Sequence, residues 1–319
     1  MTENKNYERS IIKLGNSMAV TFPQDWFTKT HLKEHSKVHV FPIDEDTLII
    51  HGNNYKEGES IMEVNLHEWP TNLAEQLVLT AFKLNVDQLH LKCDVEKYKK
   101  EYYDLVNKLQ RKIIGFDSSI VPDNKEICIR FLIDSTKTSL PDILIELYKT
   151  LGEFINSVLD SSSEINQDIY KERFSRKYYM GLRALLQTLL KYPSLKDRVN
   201  RPIVRTLGDR ITLLYAKELK DYASQLINLP KEILNKYSKI LVGISELLLK
   251  IVEKYNKDDQ ENILLKLQTD SDNIYGLFNS LDFKTNENEM MIRGIISRFF
   301  SISKDLIGIS ITRILEAKL

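Results

Sequence analysis

Apolar positions along this chain change period twice, and each change marks a new kind of structure. Within residues 1–52 they come in short runs bounded by turn residues, the pattern of strands. Residues 10–14 and 18–22 read as two strands joined by a tight turn at Gly15-Asn16-Ser17, where Gly and Asn accept the backbone conformations a hairpin needs. Pro23 cannot donate to a ladder, so it stops the second strand and opens a short helix over 24–30. A second strand pair, 37–42 and 47–51, spans the acidic turn Asp44-Glu45-Asp46.

Residues 53–64 are polar and read as a linker. Leu73, Leu77, Ala81 and Leu84 then fall at helical spacing and predict a helix over 69–84. Residues 88–93 alternate as a strand. Asp94 suits the N-cap of a helix running to about residue 114, with Tyr98, Tyr102, Leu105, Leu109 and Ile113 on one face. Strands at 117–121 and 126–133 follow, so residues 65–135 read as a small α-β-α-β-β connector.

From residue 136 the pattern is helical throughout. Helices are predicted over 139–159, 166–191, 201–228, 231–256, 259–267, 272–281 and 288–318. Ser139 with Pro141 marks the first start, and Pro193, Pro202 and Pro230 fall at termini, where proline is tolerated. Val204, Leu207, Ile211 and Leu214 form one apolar seam; Ile292, Ile295, Phe299, Ile302, Leu306 and Ile309 form another. Such seams bury against neighbouring antiparallel helices. The helices at 201–228 and 288–318 read as equivalent members of two repeats. The expected fold class is α+β, mostly α, with a helical bundle over 136–319.

Composition narrows the function classes. The 319 residues carry 45 Lys and Arg against 45 Asp and Glu, a balance that argues against coating nucleic acid non-specifically. The charge is uneven, however. Residues 1–40 lean basic (Lys5, Arg9, Lys13, Lys29, Lys33, Lys37), and residues 44–68 lean acidic. Cys93 and Cys128 fall in predicted strands and read as buried thiols, not a disulfide framework. No secretory leader and no apolar run of membrane-spanning length is visible, so a cytoplasmic chain without membrane insertion is expected. The sequence has no HExxH, CxxC, GxSxG or Walker loop, so neither catalysis nor a cofactor is expected. His31, His35 and His39 straddle a turn and a strand and read as surface residues. Arg173, Arg176, Lys177 and Arg183 make a basic stripe on one predicted helix, either solvated or facing nucleic acid or an acidic partner.

The first fifty or so residues resemble the AbrB/MazE/SpoVT swapped-hairpin DNA-binding domain. Lys13, Gly15, Asn16 and Ser17 match its core, followed by Ala19-Val20 and Pro23. Leu32, Lys33 and Val38 match the entry to its third strand, and Asp46, Leu48, Ile49 and Ile50 its fourth. In that family two copies interleave into one barrel whose basic loops grip DNA. The resemblance implies a swapped-hairpin barrel, a homodimer formed through residues 1–52, and DNA-binding roles for Arg9, Lys13, Asn16 and Ser17. Size points to a dimer independently, since a unit of roughly fifty residues buries too little surface to be stable alone.

The layout of hairpin head, α/β connector and antiparallel bundle is similar to that of archaeal PhoU-like phosphate-uptake regulators. Residues 84–91 resemble that family's connector; Leu105, Val106, Leu109, Ile114 and Gly115 resemble its next segment. Asp221-Tyr222-Ala223 and residues 307–314 resemble later ones. PhoU bundles bind iron or zinc through acids four residues apart. Here the candidates Glu218 and Asp221 are three apart, and Lys217, Arg176 and Lys304 stand where acids would be, so no metal is expected.

These resemblances imply a non-enzymatic transcriptional regulator of phosphate uptake or metabolism that binds operator DNA as a dimer, with a possible protein partner on the bundle. A second reading is a dimeric adaptor that regulates a transporter ATPase or sensor kinase by protein contacts. A third is an antitoxin-like protein. Zero net charge, and Thr21 where relatives carry a basic residue, favour the adaptor; Lys13 beside the Gly-Asn-Ser loop favours DNA binding.

Overall fold

The computed structural model describes residues 8–42, 48–52, 59–69, 73–95, 99–121, 125–133, 139–160, 164–190, 203–256, 261–282 and 286–316. The chain divides into two compact units, Met1–Gly58 and Glu59–Leu319.

In the first unit, β1 (Ile12–Leu14) pairs antiparallel with β2 (Ser17–Ala19), and Leu14 stands opposite Ser17. Gly15 and Asn16 are therefore the whole loop. Gly15 has φ +61°, while Asn16 keeps a negative φ, so this is the two-residue turn that takes glycine in its first position. The strands are shorter than predicted because pairing ends at Ile12 and Ala19. Helix α1 (Gln24–Thr30) begins after Pro23, whose carbonyl accepts from the Trp26 N–H at 3.0 Å, and ends at His31 with φ 54°. β3 (Val38–Pro42) pairs antiparallel with β4 (Leu48–Gly52); the acidic turn between them lies outside the described residues. The two ladders remain separate two-stranded sheets, and no closed barrel forms among the described residues of one chain.

The second unit begins with a four-stranded sheet in the order β5-β6-β8-β7. β5 (Ile61–Asn65) lies where a linker through residue 64 was expected. Its pattern is too short to read locally, but it runs parallel to β6 (Gln88–Lys92), and Asp87 holds its start by accepting from the Ser60 N–H at 2.8 Å. The crossover between them is α2 (Ala74–Lys83). Then come α3 (Lys99–Lys112), β7 (Phe116–Ile120) and β8 (Glu126–Phe131), which pairs antiparallel with both β6 and β7. One sheet face, carrying Leu89, Leu91, Ile127, Ile129 and Phe131, packs on Val78, Phe82, Leu109 and Ile113 of α2 and of α3 with its end.

Six helices complete the unit: α4 (Leu140–Leu159), α5 (Glu164–Leu190), α6 (Ile203–Gln225), α7 (Lys231–Tyr255), α8 (Glu261–Ser280) and α9 (Glu287–Glu316). Ser139 caps α4 as expected, accepting from the Asp142 N–H. Helices α4, α5 and α6 pack mutually, and so do α7, α8 and α9; the two sets meet through α4 on α7 and α6 on α9. In each set all three helices touch one another, and α6 and α9 are the last of their sets. Helix α5 also packs on α2 and α3, joining bundle to sheet. Helices hold about 70% of the described residues, an α+β, mostly α fold. No helix among them is long and apolar enough to cross a membrane.

Two helical expectations change. The apolar pattern predicts separate helices over 259–267 and 272–281, yet α8 runs unbroken through Gln268-Thr269-Asp270-Ser271. Ser271 is buried there, and Gln268 donates to Asp272 one turn on at 3.1 Å, so this polar stretch stays helical. The seam of α9 is buried as expected from Ile292 to Leu306. In α6, however, Leu207, Ile211 and Leu214 are exposed (56%, 39% and 45%). The residues of α6 that fill the core are Leu213, Ala216, Leu219 and Ala223 instead.

Candidate nucleic-acid interface

The β1–β2 hairpin gathers three of the four expected DNA-binding residues. Lys13 lies on β1 directly opposite Met18, Asn16 occupies the second position of the turn, and Ser17 opens β2 opposite Leu14. In a strand pair, directly opposed residues share a face. Lys13 and Met18 therefore share one side of the ribbon, and Ile12, Leu14, Ser17 and Ala19 the other. Arg9 lies before β1 and is exposed, its guanidinium donating to the Glu8 carbonyl at 2.9 Å; it is in sequence reach of the hairpin but not part of its ladder. Lys13, Asn16 and Ser17 are all exposed. An ammonium, an amide and a hydroxyl around a glycine turn make a small set of donors suited to phosphate oxygens and base edges.

Charge and burial set the character of this unit. Across residues 8–42 the bases Arg9, Lys13, Lys29, Lys33 and Lys37 outnumber the acids Glu8, Asp25 and Glu34. Among its residues whose side chains are described, Leu32 alone is buried, while Ile11, Leu14, Met18 and Leu48 are 63–73% exposed. Phe22 stacks on Trp26 with centroids 5.1 Å apart and meets Phe27 edge-on, so its local order is aromatic and small. His31 and His35 are exposed, and the side chain of His39 lies outside the described residues.

The second candidate cluster is on α6. Glu218 is clamped by Arg298 of α9, with Nε to Oε1 at 2.6 Å and Nη2 to Oε2 at 3.0 Å, and this bond raises the Arg298 pKa further. Asp221 accepts from Lys220 at 3.1 Å. Both acids line a surface recess with Leu214, Lys217, Tyr222 and Gln225. Among the described residues no three His, Cys, Asp or Glu side chains gather to hold a metal ion. The cations that stand in place of acids have other partners. Lys217 and Lys304 lie over the rings of Tyr178 and Tyr275, and Arg176 donates to the Gln110 carbonyl at 3.1 Å.

The basic stripe on α5 is likewise engaged within the chain. Arg173 pairs with Glu153 at 3.0 Å and Lys177 with Glu146 at 2.7 Å, which holds the Glu146 carboxyl below its usual pKa. Arg183 is buried. Its place in the stripe with Arg173, Arg176 and Lys177 does not reveal this, because i, i+3, i+4, i+10 spacing cannot distinguish a solvated face from one covered by a distant segment. Tyr102 is buried with its hydroxyl donating to Ser118, Tyr103 is exposed, and Tyr98 lies outside the described residues. No family model matches the chain, and no curated protein or solved structure matches it either.

Proposed function

We propose that the chain is a dimeric, non-enzymatic transcriptional regulator whose first unit binds operator DNA and whose second unit relays a signal, phosphate status being the expected one. The observation that carries the reading is the coincidence, in one small unit, of apolar strand positions left open to solvent with the exposed Lys13-Gly15-Asn16-Ser17 turn. A second copy interleaving its hairpins would cover Ile12, Val20, Val40 and Leu48 and bring two such turns to one side, as in the AbrB-type domains this sequence resembles. A two-fold head implies a two-fold DNA site. The matching three-helix sets of the second unit support its likeness to PhoU-type bundles. The test is binding of the full-length protein to its own upstream DNA, with Lys13→Ala in parallel. Specific binding weakened by the substitution supports the reading; no binding by either protein refutes it.

The adaptor reading has its own support in the exposed α6 stripe of Leu207, Ile211 and Leu214, an apolar face suited to a protein partner. Loss of partner capture on Leu214→Lys, with DNA binding absent, would favour it.

A further inference from the structure

Strands β6 and β8 are neighbours at the centre of the four-stranded sheet, and their register sets His90 directly opposite Cys128. Alternation puts both on the face turned away from the Leu89, Leu91 and Ile129 core, together with Glu126. On this face Glu63, Lys92, Asp117, Ser119 and Arg130 are exposed. His90 Nδ1 is hydrogen-bonded to Glu126 Oε1, and its Nε2 lies 4.0 Å from Cys128 Sγ and 3.4 Å from Gln88 Oε1. The Gln88 amide nitrogen donates to Glu59, which turns the amide oxygen toward the ring.

We propose that Cys128 is a hydroperoxide-reactive thiol, with His90 as its base and Glu126 orienting the imidazole. The carboxylate accepts from Nδ1–H, and Nε2, which faces both Cys128 Sγ and the Gln88 amide oxygen, takes the thiol proton and then donates it in a hydrogen bond to that oxygen, the order of nucleophile, base and orienting group that activates a thiol. As the sulfur attacks one peroxide oxygen, its proton passes to Nε2. The S–O bond forms and the O–O bond breaks; sulfur is oxidised to a sulfenic acid and the peroxide is reduced. The departing hydroxide takes the proton from Nε2 and leaves as water. While Nε2 carries that proton, Gln88 Oε1 is the acceptor beside it. Cys128 is 4% exposed, flanked by His90 and by Ser119 on β7, so the oxidant proposed is hydrogen peroxide, the smallest of its class.

Cys93 is the built-in contrast. It lies in the apolar core on the opposite face, where burial pushes its thiol up. These are the chain's two cysteines, and the sheet separates them. The product at Cys128 is therefore a sulfenic acid and not a disulfide within the chain.

The test treats the reduced full-length protein with hydrogen peroxide, traps sulfenic acid with dimedone and maps adducts by peptide mass spectrometry. One adduct per chain at Cys128, with Cys93 unmodified, is expected. His90→Gln should slow trapping by about ten-fold or more, and Glu126→Gln by less. If His90 merely covers the thiol, His90→Ala will speed trapping, which overturns the base role. An unreactive Cys128 in the wild-type protein, or equal labelling of Cys93, overturns the proposal without reliance on any variant.

Discussion

The guanidinium of Arg183 donates from Nη1 to the backbone carbonyl of Phe82 at 2.6 Å and lies 4.9 Å from the centre of the same residue's ring. Phe82 is in the last turn of α2, and its carbonyl also accepts from the Asn85 N–H at 3.2 Å, so Arg183 is a second donor to it. The same Nη1 also donates to Val86 at 3.2 Å, and Asp87 is 3.7 Å away. Asn85, held at φ 62° in the bend, returns a hydrogen bond to the Arg183 carbonyl at 3.0 Å. Arg183 is thus a C-cap supplied from another helix, and it fastens the bundle to the sheet. Burial lowers its pKa and Asp87 opposes that shift.

Replacing Arg183 by Met should cost on the order of 2 kcal/mol, because the Val86 carbonyl loses this donor, the Phe82 carbonyl keeps only the Asn85 N–H, and Asp87 loses its cation. Arg183→Lys keeps the charge without the fork and should fall between. Urea unfolding measures both. A loss under about 0.5 kcal/mol for Arg183→Met would place it among neutral surface changes and contradict the capping role.

Tyr237 on α7 is fully buried and donates its hydroxyl proton to Glu289 on α9. Burial first, then that bond, push its pKa up to about 12 from 10.0. The raised folded value means the unfolded chain loses the proton first. The contribution is whole below pH 10.0 and is lost as pH rises toward about 12. That amounts to roughly 2–3 kcal/mol. Tyr237→Phe should flatten this alkaline limb relative to wild type in melts run between those pH values; parallel limbs would contradict the assignment.

Much of the fold was legible because its signals are local. The Gly15-Asn16 turn, the Pro23 helix start and the Ser139 cap each rest on residues within one turn of each other. What was missed depends on distant partners. β5 exists because β6 lies alongside it, 27 residues on at Ile61 and Gln88. Arg183 is buried because α2 closes over it, and Leu207 and Ile211 are exposed because the opposite face of α6 meets its neighbours. The candidate DNA-binding residues were legible as a motif, whereas the His90–Cys128 pairing needed the register of two strands.

Glu218 and Asp221 should bind no stoichiometric iron or zinc, since Arg298 and Lys220 already hold their carboxylates. Elemental analysis of protein purified without chelator is the check. Tight metal that is lost on Asp221→Ala would overturn this expectation.

The first unit should be the dimerisation element. Removing residues 1–52 should shift the solution mass from dimer to monomer. In the intact chain, Val20→Glu should do the same, by putting a charge just past the end of β2 on a segment that a second copy would cover. A dimer that survives both changes would assign assembly to the bundle.

The DNA contact proposed for the Lys13 turn is tested by a salt titration of binding to the chain's own upstream DNA. Counterion release gives a slope of log affinity against log salt of about −0.9 per phosphate contacted. A dimer carries two copies of Lys13, so Lys13→Ala should make the slope shallower by roughly two units. Asn16→Ala should alter sequence preference and leave the slope nearly unchanged. Neither side chain is buried, so both variants should fold as wild type. Equally weak binding by wild type and Lys13→Ala at every salt concentration would contradict the DNA-binding account.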